Sequence, residues 1–407
     1  MRCARECVGA YISGEVGWYR RFVYNACPNS NVETGVFCMI FEGVESDEST
    51  ETGAAMASLH PDFPSARKHL LSSMKEVIQM KKYMRVLAFV LCGALLALGL
   101  VGCGSQKKET LKIGIIQYMS HPSLDNCYEG VVQALEASGL DYTVERQIGS
   151  SSSAAADCST FAQNMVGKGC DLIVAIATPA ATAAYAAVEG TDIPLIFCAV
   201  SDPVVADLVK DMNAPGGNCT GTSDVLDLAA QVELIKAMQP TAKSIGILYT
   251  TSEQNSLSNL KRMQELCDKQ GIAIEATGVQ NASDIPAAAA ALAGKVDCIN
   301  NFTDNNVVEN LNVVLDAANA AKIPVYGSEV EQVSNGCLAS MSIDYVALGK
   351  TTGNMAVRVL KGETKPAEMA VESITEATPV INTDVVAALG LTIPEQYANA
   401  EKVTTKQ

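Results

Sequence analysis

Leu111-Lys112-Ile113-Gly114-Ile115-Ile116-Gln117 and Ser244-Ile245-Gly246-Ile247-Leu248-Tyr249 decide the fold. Each is a short, nearly unbroken apolar run that leads through a polar turn into an Ala-rich stretch with helical spacing. The same alternation recurs along the chain. It predicts strands at Leu111–Gln117, Tyr142–Gln147, Leu172–Ala177, Leu195–Val200, Ser244–Tyr249, Ala273–Gly278, Cys298–Phe302, Val325–Gly327 and Leu338–Ser342. Helices are predicted between them, at Cys127–Ala137, Ala180–Val188, Ala229–Met238, Ser256–Lys269 and Asn310–Ala321. Most of the strands lack apolar/polar alternation, as parallel strands do when both faces are covered. Strands that alternate with helices over this length make a doubly wound α/β architecture. The series restarts at Ser244, just after Gln239-Pro240, so two similar lobes are expected, with a hinge near Met238–Lys243.

Ahead of the first strand stands a second informative stretch. Lys81, Lys82 and Arg85 precede the apolar or small run Val86–Val101, which ends in Leu100-Val101-Gly102-Cys103 and then Gly104-Ser105-Gln106-Lys107-Lys108. Basic residues, an apolar run and a small-residue cleavage site form a secretory signal. The cysteine at the cut resembles a bacterial lipobox, in which the thiol takes a lipid. The run has sixteen residues, short of the ~20 that a membrane span needs. This reading makes 80–102 a signal peptide and 103–110 an anchor and linker. The rest would lie at the outer face of the cytoplasmic membrane, lipid-anchored through Cys103.

Residues 1–79 fit no such scheme, because a signal belongs at an N-terminus. They hold Trp18, His60 and His69 but show no sustained period. Lys75-Glu76-Val77 can be encoded by AAG GAG GTN, a ribosome-binding sequence a few codons before Met80. The segment is therefore expected to be a leader read as protein, with translation starting at Met80 or Met84. A cytoplasmic N-terminal domain is the alternative.

Composition narrows the function. The formal net charge of −16 argues against nucleic-acid binding, which wants a basic face. After Cys103 there is one histidine, His121, and eight cysteines without a CxxC pair. A His-based zinc site needs more than one imidazole. No nucleophile elbow, Walker loop or dinucleotide fingerprint stands in this region. Enzyme, metal and cofactor readings lose their usual residues, and no cofactor is expected. The cysteines within strand-like runs read as small buried apolar residues.

What remains is polar chemistry at strand C-terminal ends, where an open parallel sheet binds ligands. Gln117-Tyr118 follows the first strand, with His121-Pro122 just beyond. Thr178-Pro179-Ala180 and Ser201-Asp202-Pro203 follow the third and fourth. In the second half, Glu253-Gln254-Asn255-Ser256 and Asp304-Asn305-Asn306 take the equivalent places. Hydroxyls and free N–H groups at helix starts suit a carboxylate. Each group also has an ordinary structural use: Thr178, Ser201 and Ser256 as helix caps, Asp202 and Asp304 in turns, Tyr249 and Phe302 in the core.

The chain from Leu111 to about Pro394 resembles the substrate-binding lipoproteins of ABC importers, in the branch associated with tryptophan and tyrosine uptake. The resemblance is carried by His121-Pro122-Ser123-Leu124-Asp125, Asp171 to Ala180, and Val200-Ser201-Asp202-Pro203. It continues in Pro215 to Asp224, Glu253-Gln254-Asn255-Ser256, Asp304-Asn305, and Asp344-Tyr345 with Gly349. Asn300-Asn301-Phe302-Thr303 departs from it, since relatives often carry an apolar or Pro-containing run there. The resemblance implies a type I periplasmic-binding-protein fold, with two Rossmann-like lobes joined by a multi-crossing hinge. Lobe 1 would comprise 111–238 with 343–372, and lobe 2 would comprise 239–342 with 373–400. It also implies a permease and an ATPase as partners.

The combined expectation is a lipid-anchored receptor that closes on an amino acid with an aromatic or large apolar side chain. Thr178, Ser201, Asn255 and Ser256 are the candidates for its carboxylate, and Asp202 and Asp304 for its ammonium. Tyr118, Phe302 and Tyr326 are candidates for the side-chain wall, with Gln117 and His121 beside them. A signalling receptor on the same lobes, or a binder of another small solute such as a nucleobase, fits the same residues.

Overall fold

The run at Leu111 becomes β1 (Leu111–Gln117), with Ile113, Ile115 and Ile116 buried. The computed structural model describes residues 110–374 and 376–406, with 79, 80 and 84. The apolar run Val86–Val101, Cys103, and the leader and signal readings lie outside the described residues. Among the described residues, no helix is long and apolar enough to cross a membrane.

The first lobe continues with α1 (Pro122–Ala137), β2 (Tyr142–Ile148), α2 (Ala154–Gly167), β3 (Leu172–Ile176), α3 (Thr178–Val188), β4 (Leu195–Cys198) and β5 (Cys219–Ser223). Its strands lie in the order β5-β4-β3-β1-β2, all parallel. Every residue of β3 and β4 is buried, because helices cover both faces of the sheet. The second lobe opens with α4 (Leu228–Met238), β6 (Ser244–Thr250), α5 (Gln254–Gln270), β7 (Ala273–Val279), α6 (Ile285–Ala293) and β8 (Cys298–Asn300). It goes on through α7 (Asn305–Glu309), α8 (Leu311–Ala321), β9 (Val325–Tyr326), α9 (Val330–Ser334) and β10 (Ala339–Ser342). Here the parallel order is β7-β6-β8-β9.

The chain then returns to the first lobe for α10 (Tyr345–Leu360) and β11 (Glu372–Ser373), which adds a parallel edge strand beside β5. A last crossing brings β12 (Thr378–Asn382), α11 (Thr383–Ala388) and β13 (Glu401–Val403) to the second lobe. There β10, β12 and β13 form a small mixed sheet, tied alongside β9 by Leu338 N–H to Val325 O at 2.7 Å. Three crossings therefore join the lobes. This is the two-lobe α/β architecture with parallel sheets that the sequence predicts.

Two features differ from the sequence reading. The first crossing precedes α4, not Met238–Lys243. The buried face of α4, Leu228, Val232 and Ile235, packs into the core that holds Ile245, Phe302 and Tyr326, so the helix belongs to the second lobe. An apolar stripe follows the core that covers it, whatever the position of the repeat. The second difference is β5, a strand reading Cys-Thr-Gly-Thr-Ser that was not predicted. Its Thr220 hydroxyl donates to Met369 O at 2.7 Å and its Thr222 hydroxyl pairs with Thr352, so buried polar side chains replace the usual aliphatic signal.

Helices α1 and α10 cross almost backbone to backbone. A Cβ added at Gly349 would lie 2.0 Å from Cys127 O, and one at Gly130 would lie 2.1 Å from Val346 O. The eight cysteines of this region are buried and unbridged, in the place of small apolar residues.

Candidate ligand-binding site

Strand ends of both lobes converge on one cleft. From the first lobe come His121, Ser123 and Leu124 at the start of α1, Ala177 and Thr178 after β3, Ala199 and Ser201 after β4, and Asp224 after β5. Asn255, Thr303, Asn305, Val308 and Glu329 face them from the second lobe, and Tyr345 from the crossing into α10. The space between them is about 300 Å³, part of it open to solvent.

Backbone geometry shapes this surface. Ala177 has φ 80° and Ala199 φ 57°, both in the left-handed region that non-glycine residues rarely enter. Both stand at strand ends that line the cleft, where such strain is held by the surrounding structure. The turn at Ala177 starts α3 directly at Thr178-Pro179. The Thr178 and Ala180 N–H groups of its first turn, Pro179 having none, make a seat for negative charge.

The lobes touch through polar side chains around the cleft. His121 Nε2 lies 3.2 Å from Asn305 Oδ1, Asn126 Nδ2 donates to Glu331 Oε1 at 2.5 Å, and Ser258 Oγ donates to Asp202 Oδ2 at 2.8 Å. Ser151 also donates to Glu309 across the gap. These contacts define a closed arrangement.

Among the described residues, two carboxylates and no lysine or arginine line the cleft. Asp224 is buried and accepts from Ser201 Oγ at 2.9 Å and from Tyr345 Oη at 3.0 Å. Burial pushes its pKa up. Glu329, also buried, is pushed up to about 8, chiefly by burial and then by the charge of Glu331. Burial lowers His121 to about 4, so the ring is neutral at ordinary pH. Ser123 lies against the Glu329 carboxylate, and buried atoms without a hydrogen-bond partner cluster here: His121 Nδ1, Thr178 Oγ1, Asn255 Oδ1 and Thr303 Oγ1. Orphaned buried polar atoms are uncommon and costly. Four stand around one cleft, with hydrogen-bonding capacity unmet.

The structure sorts the residues expected from sequence into three groups. His121, Thr178, Ser201 and Asn255 line the cleft. Asp202 sits at the rim, where it also accepts from Val205 N–H at 3.1 Å and joins the lobes through Ser258. The remaining residues lie behind the cleft wall. Asp304 accepts from Thr250 N–H, Thr250 Oγ1, Ser256 Oγ and Val307 N–H at 2.6–3.0 Å, so both oxygens are committed internally and Ser256 with them. Gln117 bonds Met119 O, Asp125 and Arg146. Tyr118 is raised by burial, then by the nearby charge of Glu253. Phe302 and Tyr326 belong to the second-lobe core, and Tyr326 Oη donates to Gln239 at 3.1 Å.

Sequence reading did not single out Ser123, Asp224, Thr303, Asn305, Glu329 or Tyr345 as site residues. Glu329 was accessible to the strand-end rule, since it follows β9 by three residues. Asp224 was not, because β5 carries no aliphatic signal.

Residues 112–404 match the profile of the family described as ABC transporter substrate binding protein. The chain belongs to that family. This substrate-binding protein is 35% identical over 327 residues to the tyrosine-binding protein of Clostridioides difficile strain R20291, an alignment that covers 77% of this chain and 94% of that one. It superposes on an ABC domain from Streptococcus pneumonia in complex with L-Trp with TM-score 0.69 and 37% identity, covering 72% of this chain and all of the other. Against the ligand-free, open structure of a Clostridium difficile substrate binding protein with adhesive properties, identity is 36% and coverage 73% and 100%, but the TM-score is 0.57. The fold is that of type I periplasmic binding proteins. The family is a non-enzymatic, extracytoplasmic kind.

Proposed function

We propose that this protein is the receptor of an ABC importer for an aromatic amino acid, held at the outer face of the cytoplasmic membrane by lipid on Cys103. A permease and an ATPase would complete the importer. The carrying observation is the charge pattern of the cleft: Asp224 and Glu329 with no lysine or arginine among the described residues, next to the start of α3 and the orphaned Thr178 hydroxyl. Two buried carboxylates call for an ammonium. A helix start and free hydroxyls call for a carboxylate. An α-amino acid supplies both a short distance apart.

In this reading the ammonium pairs with Asp224 and Glu329 and reaches Asn255 Oδ1. The carboxylate takes Thr178 Oγ1 and the N–H groups of Thr178 and Ala180 in the first turn of α3, Pro179 having none. Leu124, Val308 and Tyr345 supply apolar surface. The relatives named for tyrosine and crystallised with L-Trp favour an aromatic side chain. Closure strengthens these contacts by excluding water, and it makes the ligand the bridge between the lobes.

Isothermal titration of the purified full chain with amino acids, sugars and nucleobases tests this. Binding of tryptophan or tyrosine, weakened at least about tenfold in Glu329→Gln, is the expected result. Binding of a sugar or nucleobase with no response to any amino acid would overturn the reading.

A further inference from the structure

We infer that Nδ1 of His121 accepts a hydrogen bond from the side chain of the bound amino acid, an indole N–H or a phenol O–H. The inference rests on the amino-acid reading above.

A chain of hydrogen bonds fixes the state of the imidazole. Glu253 Oε2 accepts from the Asn305 backbone N–H at 3.1 Å, from Asn305 Nδ2 at 2.6 Å and from Asn255 Nδ2 at 3.1 Å. Three donors converge on one oxygen, which is therefore an acceptor whatever the protonation of Oε1. Asn305 must turn its amide nitrogen to Glu253, and its Oδ1 faces His121. An amide oxygen only accepts. The proton is thus on Nε2 of the imidazole, 3.2 Å away. The ring is buried and neutral, so one proton is all it carries. That leaves Nδ1 a bare lone pair.

Nδ1 is buried without a partner, on a residue that lines the cleft. Leaving it unmet on closure would be costly. The ligand carboxylate has no proton to offer, and the ammonium has Asp224 and Glu329 for partners. The side chain is the part of the ligand left to meet it. Glu253 and Asn305 act through the ring in this scheme, as positioning residues that hold the tautomer.

The consequence is a preference for aromatic side chains that carry a donor. Titration of the full chain should show tryptophan bound about tenfold or more tighter than 3-benzothienylalanine, which keeps the shape and replaces N–H with sulfur. Tyrosine should bind tighter than phenylalanine in the same sense. His121→Leu should bring each ratio to within about twofold without abolishing phenylalanine binding. Should that variant not fold, ¹⁵N imidazole NMR of the wild type, assigned against His121→Asn, gives an independent readout. Nδ1 is expected to be unprotonated without ligand and to shift with tryptophan but not with the sulfur analogue. Equal affinity within both pairs, or a proton on Nδ1 without ligand, would overturn the inference while leaving the amino-acid reading intact. Absence of binding by any aromatic amino acid would overturn both.

Discussion

Ser258 Oγ donates to Asp202 Oδ2 at 2.8 Å, joining α5 of the second lobe to the loop after β4 of the first. The same carboxylate accepts from Val205 N–H through its other oxygen. Asp202 therefore acts at the rim of the cleft, as a latch between lobes. An Asp202→Ala variant should lose less than about tenfold in ligand affinity, mostly as faster release, since one partly exposed hydrogen bond contributes about 0.5–1.5 kcal/mol. Stopped-flow dissociation checks this. A loss of hundredfold or more would instead put Asp202 against the ligand ammonium, where removing a buried charged partner costs ~2–5 kcal/mol.

Glu329 gives the unliganded protein a pH signature. Its pKa rises from 4.5 in the unfolded chain to about 8 in the fold, so the native state binds the extra proton between those values. Stability from this group is full below about pH 4.5 and is lost as pH rises toward 8. His121 works in the opposite sense at lower pH, because its native pKa of about 4 lies below the ordinary 6.5, so stability rises across that window. Urea denaturation at pH 5, 6.5 and 8 should show a decline over the upper part of the range that is shallower in Glu329→Gln. An unchanged slope in the variant would remove Glu329 as its source. A ligand ammonium should ionise Glu329 and release protons below pH 8, which titration in buffers of differing ionisation enthalpy would detect.

Asp304 is a different case. Four donors from β6, α5 and α7 end on its two oxygens. Asp304→Ala orphans Thr250, Ser256 and Val307 at once, and is expected to destabilise the protein by about 3 kcal/mol or more. Chemical denaturation measures this directly. A stable variant that had lost only ligand affinity would mean that the carboxylate serves the cleft after all.

Helices α1 and α10 leave no room for a side chain where they cross. In Gly349→Ala the new methyl would meet the Cys127 carbonyl at 2.0 Å, and backbone cannot turn aside as a side chain can. The helices must separate, at a cost of about 1–3 kcal/mol or more. The melting temperature should fall by several degrees. Gly139→Ala is a poor control, since φ there is 69°, whereas Gly167→Ala meets nothing within 4 Å and should be nearly neutral.

The sequence by itself determined the class of fold and the sheet edge at which the cleft lies. β1 and β6 were legible because strands buried on both faces read as continuous aliphatic runs, and the helices between them as Ala-rich periods. The rule that ligands meet strand C-terminal ends then led to His121, Thr178, Ser201 and Asn255. Tertiary structure alone decided which polar groups at that edge face outward. Asp304 and Asp202 look alike in sequence, each an acid in a turn after a strand. One is consumed by four internal donors and the other by a serine of the opposite lobe. Asp224 and Glu329, by contrast, come from a polar strand and a late turn. They meet only because the chain crosses to the facing lobe between them, and no local pattern encodes that. Local spacing fixes periodicity and exposure of an element, but whether a carboxylate is free depends on donors 121 residues away, as with Tyr345 on Asp224.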